Sequence, residues 1–266
     1  MKKYFLTYGN DKFKYSKIHL SYLAKYSGFF DEVITLGPEN LSNIFTNKFK
    51  EILSNKKGAG YWIWKHEIIR SLLNEINSND IILYCDAGSS INNSSKAKIR
   101  FNEYFEILND KKVNFLRFET NKQYLEKQYT SIEVFKELNV DINSHIGNST
   151  QLQAGVMFFK KTFDSVEFLN DYKNIISKDP NLITDAYSTN QKKDFIECRH
   201  DQSIFSILGK QYNSFILENE TEFMYRKREQ FDFPILTVRA SNHGLKDKIK
   251  LKYFIKIYGK KTKYFN

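Results

Sequence analysis

The stretch IILYCDAGSSIN, residues 81–92, sets the terms for the rest of the chain. Residues 81–84 are apolar or aromatic and Cys85 continues the run. A lone carboxylate, Asp86, then gives way to Ala87, Gly88, Ser89 and Ser90. A short apolar run closed by turn formers reads as a buried strand. Asp and Gly commonly form turns, so the ordinary reading of the DAG segment is a strand stop. The sharper reading is a place where a charged ligand approaches the backbone. In open α/β sheets, ligands bind at the carboxyl ends of strands, and a carboxylate there offers hard oxygen to a divalent cation.

The flanking sequence supplies the sheet. YFLTY, residues 4–8, reads as a first strand turned by Gly9 and Asn10. Residues 15–26 read as a helix, with Gly28 where a left-handed C-cap belongs. EVITL, residues 32–36, is a second strand, stopped by Gly37 and Pro38. A strand–helix–strand opening implies a parallel sheet. Residues 64–76 place Ile68, Ile69, Leu72, Leu73 and Ile76 on one helical face, just ahead of the strand at 81–85. Further strands are expected at 113–117, 153–159 and 235–238, and helices at 133–138, 163–176 and 201–208.

Composition bounds the possibilities. The 266 residues are 41% hydrophobic and 16% aromatic, enough for a packed core. Three prolines and eleven glycines leave no Pro- or Gly-rich linker. Neither a signal-peptide core nor a run of about 20 apolar residues is present. Cys85 and Cys198 are too few for a disulfide framework, so a reducing cytoplasm is expected. The net charge is +10, but residues 245–266 carry eight Lys and one Asp, +7, leaving +3 for the other 244 residues. A broad nucleic-acid surface is therefore disfavoured.

Four segments carry candidate chemistry, and each also has an ordinary reading. Asp86-Ala87-Gly88 is a turn or a ligand cradle. In KGAGYWIWKHEII, residues 57–69, Gly58 and Gly60 loosen the backbone before two Trp at a helix start and Lys65 lies one turn in; the ordinary reading is that Trp62 and Trp64 are core anchors and Lys65 is solvated. In TQLQAGVMFFKKTF, residues 150–163, Gln153, Ala154 and Gly155 open an apolar strand; Gln153 serves a loop carbonyl or a hydroxylated ligand. In RHDQSIFSIL, residues 199–208, Asp201 caps a helix, yet His200, Asp201 and Gln202 together are more polar than capping needs. Downstream, His243, Gly244 and Lys246 form a possible metal and phosphate pair.

In this order the four segments resemble the nucleotide-sugar glycosyltransferases of the GT-A fold, over most of the chain. The likeness is to small bacterial enzymes that build capsule, O-antigen or lipo-oligosaccharide. There, a helix bearing Arg or Lys precedes a strand ending in D-x-D, here Lys65 and then LYCDAG. A small Ala-Gly-Val strand follows, then a DQ pair opening a helix, then a His-Gly-Lys segment.

The resemblance implies an α/β fold: a Rossmann-like mixed sheet flanked by helices, in one domain over residues 1–248 with a basic aromatic tail at 249–266. It implies transfer of a sugar from a nucleoside diphosphate, UDP by family frequency, to a glycan or lipid-linked acceptor, with retention favoured. Asp201, Gln202 and Gln153 would be catalytic. Thr7, Tyr8, Gly9, Lys65, Asp86, Ala87, Gly88, Ala154, Gly155, His200 and Lys246 would bind the donor. Asp86 and His243 would hold Mn²⁺ or Mg²⁺, although Gly88 stands where the second D-x-D acid is expected. That departure keeps open a catalytically weak nucleotide-sugar-binding protein. A nucleotidyltransferase is disfavoured because TYGNDKFKYSK has one Gly, and a basic nucleic-acid binder because the charge lies in the tail. The Lys, Tyr and Phe of that tail suit peripheral contact with an anionic membrane surface, which would be the inner face of the cytoplasmic membrane.

Overall fold

The structure, a computed structural model, describes residues 1–110, 112–222 and 232–238. Among the described residues, eight strands form two sheets. They are β1 (Lys3–Tyr8), β2 (Glu32–Leu36), β3 (Ile81–Cys85), β4 (Ser89–Ile91), β5 (Phe115–Phe118), β6 (Val156–Lys160), β7 (Phe215–Leu217) and β8 (Ile235–Thr237). The main sheet runs in the order β2-β1-β3-β6-β5-β7, and β4 pairs β8 in a small antiparallel ribbon. Within the main sheet β6 alone is antiparallel to its neighbours. This is the mixed α/β sheet that the sequence implied.

Alternation explains why both faces are covered. Along β3, Ile81, Leu83 and Cys85 enter one core cluster, while Ile82 and Tyr84 enter the other. β6 divides the same way, Val156 and Phe158 against Met157 and Phe159. Strands apolar on both sides read as continuous hydrophobic runs. The face of Ile82 and Tyr84 is packed by the helices Trp64–Glu75, Phe163–Lys178 and Asp201–Gln211, through Ile69, Phe168 and Phe205. The face of Ile81, Leu83 and Cys85 is packed by Lys14–Ser27 and Ser95–Asn109, through Leu20 and Phe101.

Gly28 closes the first helix in the left-handed region, at φ 68°, as expected. Gln153 does not begin a strand, because β6 starts three residues later at Val156. No described helix is long and apolar enough to cross a membrane.

Candidate active site

Two contiguous lobes of a cleft open at the carboxyl ends of β1 and β3. The larger is ≈ 650 Å³ and the smaller ≈ 320 Å³. Asp86 lines both. Its position follows from the strand period: Tyr84 and Asp86, two residues apart, project to the same face of the sheet. That face is covered by the Trp64–Glu75 helix, so Lys65 in the first turn meets both of them.

The Tyr84 hydroxyl donates to Asp86 Oδ1 at 2.6 Å. Lys65 Nζ lies 3.2 Å from Asp86 Oδ1, 2.6 Å from Asp201 Oδ2 and 3.1 Å from the Ala154 carbonyl, to which it donates. The Lys65 side chain is 2% exposed. One buried ammonium thus ties the end of β3 to the start of the Asp201–Gln211 helix. Burial pulls the Lys65 pKa down, but Asp201 and Asp86 outweigh it and the net shift is upward. Burial also raises the Asp201 pKa; Lys65 opposes this and Asp86 reinforces it, and the group settles at about 6.

The neighbouring small residues have a spatial cause. The Asp86 amide donates to the Gly155 carbonyl at 2.8 Å, and a Cβ at Gly155 would lie 3.1 Å from Asp86 Oδ2. Ala87 and Gly88 line the larger lobe, and the Ser89 amide closes the turn onto the Asp86 carbonyl at 2.9 Å. The DAGSS segment is therefore a turn and a cleft wall at once.

The other expected residues divide into those brought to the cleft and those held elsewhere. Tyr8 and Gly9 line the larger lobe, with Tyr8 stacked on Trp64 at 3.9 Å. Thr7 does not: it is fully buried, because alternation sends its side chain to the opposite face of the sheet from Tyr8. Lys65 lines the smaller lobe, but its charge is already held by two carboxylates, so it orients Asp86 and Asp201 rather than standing free for a phosphate.

Gln153 borders the larger lobe with its amide committed. It donates to the Glu119 carbonyl and Asn219 Oδ1 and accepts from the Thr221 hydroxyl. Gln202 lines both lobes; its amide nitrogen donates to Gln151 Oε1 at 2.7 Å and its oxygen accepts from the Ala154 amide. His200 lines the smaller lobe beside Ala154 and Gly155. Its ring packs on Trp62 at 5.5 Å, and its backbone takes the unusual φ 56°. Burial, and then the Lys57 ammonium, hold its pKa below the ordinary value. His243 and Lys246 lie outside the described residues.

The expected divalent cation does not fit the groups described. Asp86 Oδ1 is shared by Tyr84 and Lys65, which leaves one carboxylate oxygen, and Gly88 supplies none. Among the described residues no three His, Cys, Asp or Glu side chains come together as ligands. Mn²⁺ or Mg²⁺ held by Asp86 and His243 is therefore not carried into the chemistry below.

Three features escaped the sequence reading. Residues 58–62 all have positive φ, from 51° to 94°, and form a left-handed turn along the larger lobe. A carboxylate relay runs behind Gln202: buried Glu126 accepts from Thr130, Gln151, Ser206 and Lys210. Arg199 lines both lobes, its guanidinium lying over Tyr124 and Tyr129. Only Arg199 had a sequence signal, its place immediately before His200-Asp201-Gln202.

A parallel sheet with one reversed strand, an acid at the end of β3 and helices on both faces define the GT-A fold of glycosyltransferases. Solved structures agree. A glycosyltransferase involved in glycosylation of the major capsid of PBCV-1 superposes with a TM-score of 0.56 at 10% identity, over 95% of this chain and 100% of that one. The WbbM bifunctional glycosyltransferase superposes with a TM-score of 0.51 at 10% identity, over 91% of this chain, which spans 46% of WbbM. No protein-family model and no curated protein matches the sequence.

Proposed function

We propose that this chain is a glycosyltransferase that takes its sugar from a nucleoside diphosphate, with UDP the favoured nucleotide, and passes it to a glycan or lipid-linked acceptor in surface polysaccharide synthesis. The observation that carries the reading is the Asp86–Lys65–Asp201 set on the cleft, at the strand end where this fold takes its ligands. Loss of the diphosphate places negative charge on the departing oxygen, so donors and cations aimed there lower the barrier. Lys12 and Lys56 border the larger lobe, as Tyr8 and Gly9 do, and supply that charge. Lys65 fixes the two carboxylates, and Gln202, anchored through Gln151, faces the donor sugar.

Retention of configuration is favoured. The general base of an inverting route would be Asp201, and it stands 2.6 Å from Lys65, an arrangement suited to orienting rather than abstracting. The chain works in the cytoplasm, with its basic tail touching the inner face of the membrane where a lipid-linked acceptor would lie.

The test is a thermal-shift screen with UDP, GDP, CDP and dTDP, with and without Mn²⁺, followed by NMR of the product anomer. Failure of every nucleotide to stabilise the protein would reject the reading. Gly88, standing where the second D-x-D acid is expected, favours one second reading, a nucleotide-sugar-binding protein with little turnover. Donor hydrolysis across a panel of nucleotide sugars separates the two.

A further inference from the structure

The smaller lobe is lined by three Lys or Arg side chains: Lys57, Lys65 and Arg199. Two are spoken for. Lys57 Nζ donates to both oxygens of Asp185, at 2.9 and 3.0 Å, and Lys65 lies between Asp86 and Asp201. Arg199 differs. Its Nε is 3.5 Å from the exposed Glu197, while its two terminal nitrogens make no hydrogen bond to any described residue.

The guanidinium is nevertheless built into place. Its central carbon sits 4.2 Å from the Tyr124 ring centre and 4.1 Å from that of Tyr129. The two rings stand at 80° to one another, so Arg199 occupies their corner. Its backbone amide donates to the Tyr129 carbonyl and to the Ser203 hydroxyl, each at 3.1 Å. A planar fork held on aromatic faces has lost its rotamer freedom before any ligand arrives. Its remaining N–H groups match a carboxylate or phosphate in a two-point contact that a lysine cannot make.

Location indicates whose oxyanion this is. Tyr8, Gly9 and Lys12, at the β1 end, border the larger lobe only. Arg199 lines both lobes, as Gln202 and Asp86 do.

Resting on the transferase reading above, we propose that Arg199 reads an oxyanion on the acceptor, so that the acceptor is an acidic or phosphorylated glycan rather than a neutral one. Arg199 is then a specificity-determining residue, not a catalytic one.

The experiment uses the full chain as wild type, Arg199→Met and Arg199→Lys. Two matched pairs, methyl glucuronoside against methyl glucoside and glucose 6-phosphate against glucose, are titrated with and without saturating UDP. UDP itself is titrated by calorimetry. In the wild type the acidic member of at least one pair should bind about tenfold or more tighter than its neutral partner. Arg199→Met should bring that ratio close to one, and Arg199→Lys, which keeps charge without the fork, to an intermediate value. UDP affinity should change by less than about twofold in either variant.

Equal binding within both pairs by the wild type overturns the proposal. So does a tenfold loss of UDP affinity in a folded Arg199 variant, which would assign the fork to the donor's own phosphates. If Arg199→Met does not fold, the Arg199→Lys ratio decides. A wild type that binds no nucleotide, yet keeps the acidic preference, refutes the transferase reading instead.

Discussion

Lys65 shows how much one side chain carries. Its ammonium is the only cation within reach of the buried Asp201 carboxylate in the ion pairs described. Lys65→Met strands that carboxylate, and breaking a buried pair from one side costs about 3–5 kcal/mol. Asp201→Asn made in the Lys65→Met background should restore most of that loss, since a neutral amide needs no counter-ion. Urea titration of the four proteins tests this. If Asp201→Asn has the same effect with and without Lys65, the coupling is absent. Alone, Asp201→Asn should lower turnover about 100-fold, on the scale seen for loss of a transition-state contact, in a chain that still folds.

Asp201 also fixes a pH dependence. Its pKa is raised from 3.8 to about 6 in the folded chain, with burial the largest cause. Between those values the native carboxyl holds a proton that the unfolded chain releases. By linkage, this group's contribution to stability is present at low pH and falls as pH rises through that window, by up to roughly 3 kcal/mol. Urea midpoints from pH 4 to 6.5 should therefore decline more steeply in the wild type than in Asp201→Asn. Parallel curves would show that the carboxyl is not held in this way.

At the scale of the element, the left-handed turn over residues 58–62 is the least ordinary part of the fold. L-residues rarely string together in that region, yet Ala59, Tyr61 and Trp62 all adopt it. Tertiary contacts hold them: Trp64 Nε1 donates to the Gly58 carbonyl at 3.0 Å, and Lys57 and the Tyr61 hydroxyl both bind Asp185. The two glycines should respond differently to alanine. Gly60 has φ 94°, and a Cβ there meets the Leu53 Cα at 2.8 Å, so Gly60→Ala should destabilise by about 1–3 kcal/mol. At Gly58 the Cβ lands 2.4 Å from the Trp62 ring, which must move. Gly58→Ala should shift tryptophan emission and weaken nucleotide binding more than it lowers the melting temperature. The signal is clean because Trp62 and Trp64, the two tryptophans of the chain, both line the larger lobe. Unchanged emission in Gly58→Ala would mean that the turn has another way to yield.

The turn also marks where sequence reading stops. β1, β2 and β3 were legible as short apolar runs closed by turn formers, and the Trp64–Glu75 helix by its 3.6-residue period. Gly58 and Gly60 read only as loosened backbone ahead of a helix; contacts that hold the left-handed turn come from Asp185, more than 120 residues away. The Ser95–Asn109 helix was missed although its signal was present: Ser94 caps the Ala97 amide, and Phe101, Tyr104, Phe105 and Leu108 share a face. At the site, motif order exposed Asp86, Asp201 and Gln202 as polar residues in apolar surroundings. That Asp86 and Asp201 share one lysine, and that Arg199 rests on two tyrosines from a distant segment, are facts of packing that leave no local period to read.

At the scale of the whole molecule, charge is the informative quantity. Residues 245–266 hold +7 of the net +10, so the field of the rest of the chain is weak while one end is strongly cationic. Anionic lipid attracts such a segment by about 1 kcal/mol per Lys near the surface, and aromatic rings beside the lysines add insertion at the headgroup level. Ending the chain at Lys248 removes six Lys. Flotation with phosphatidylserine-containing vesicles should therefore show binding by the full chain, loss of it in the shortened one, and loss again when salt is raised well above the physiological range, where the screening length shrinks to a few ångströms. Neutral phosphatidylcholine vesicles should capture neither protein. Because the described cleft is built wholly from residues before 239, UDP binding should survive the truncation. A shortened chain that still floats, or full-length binding insensitive to salt and lipid charge, would sever the tail from the membrane and leave its charge without that role.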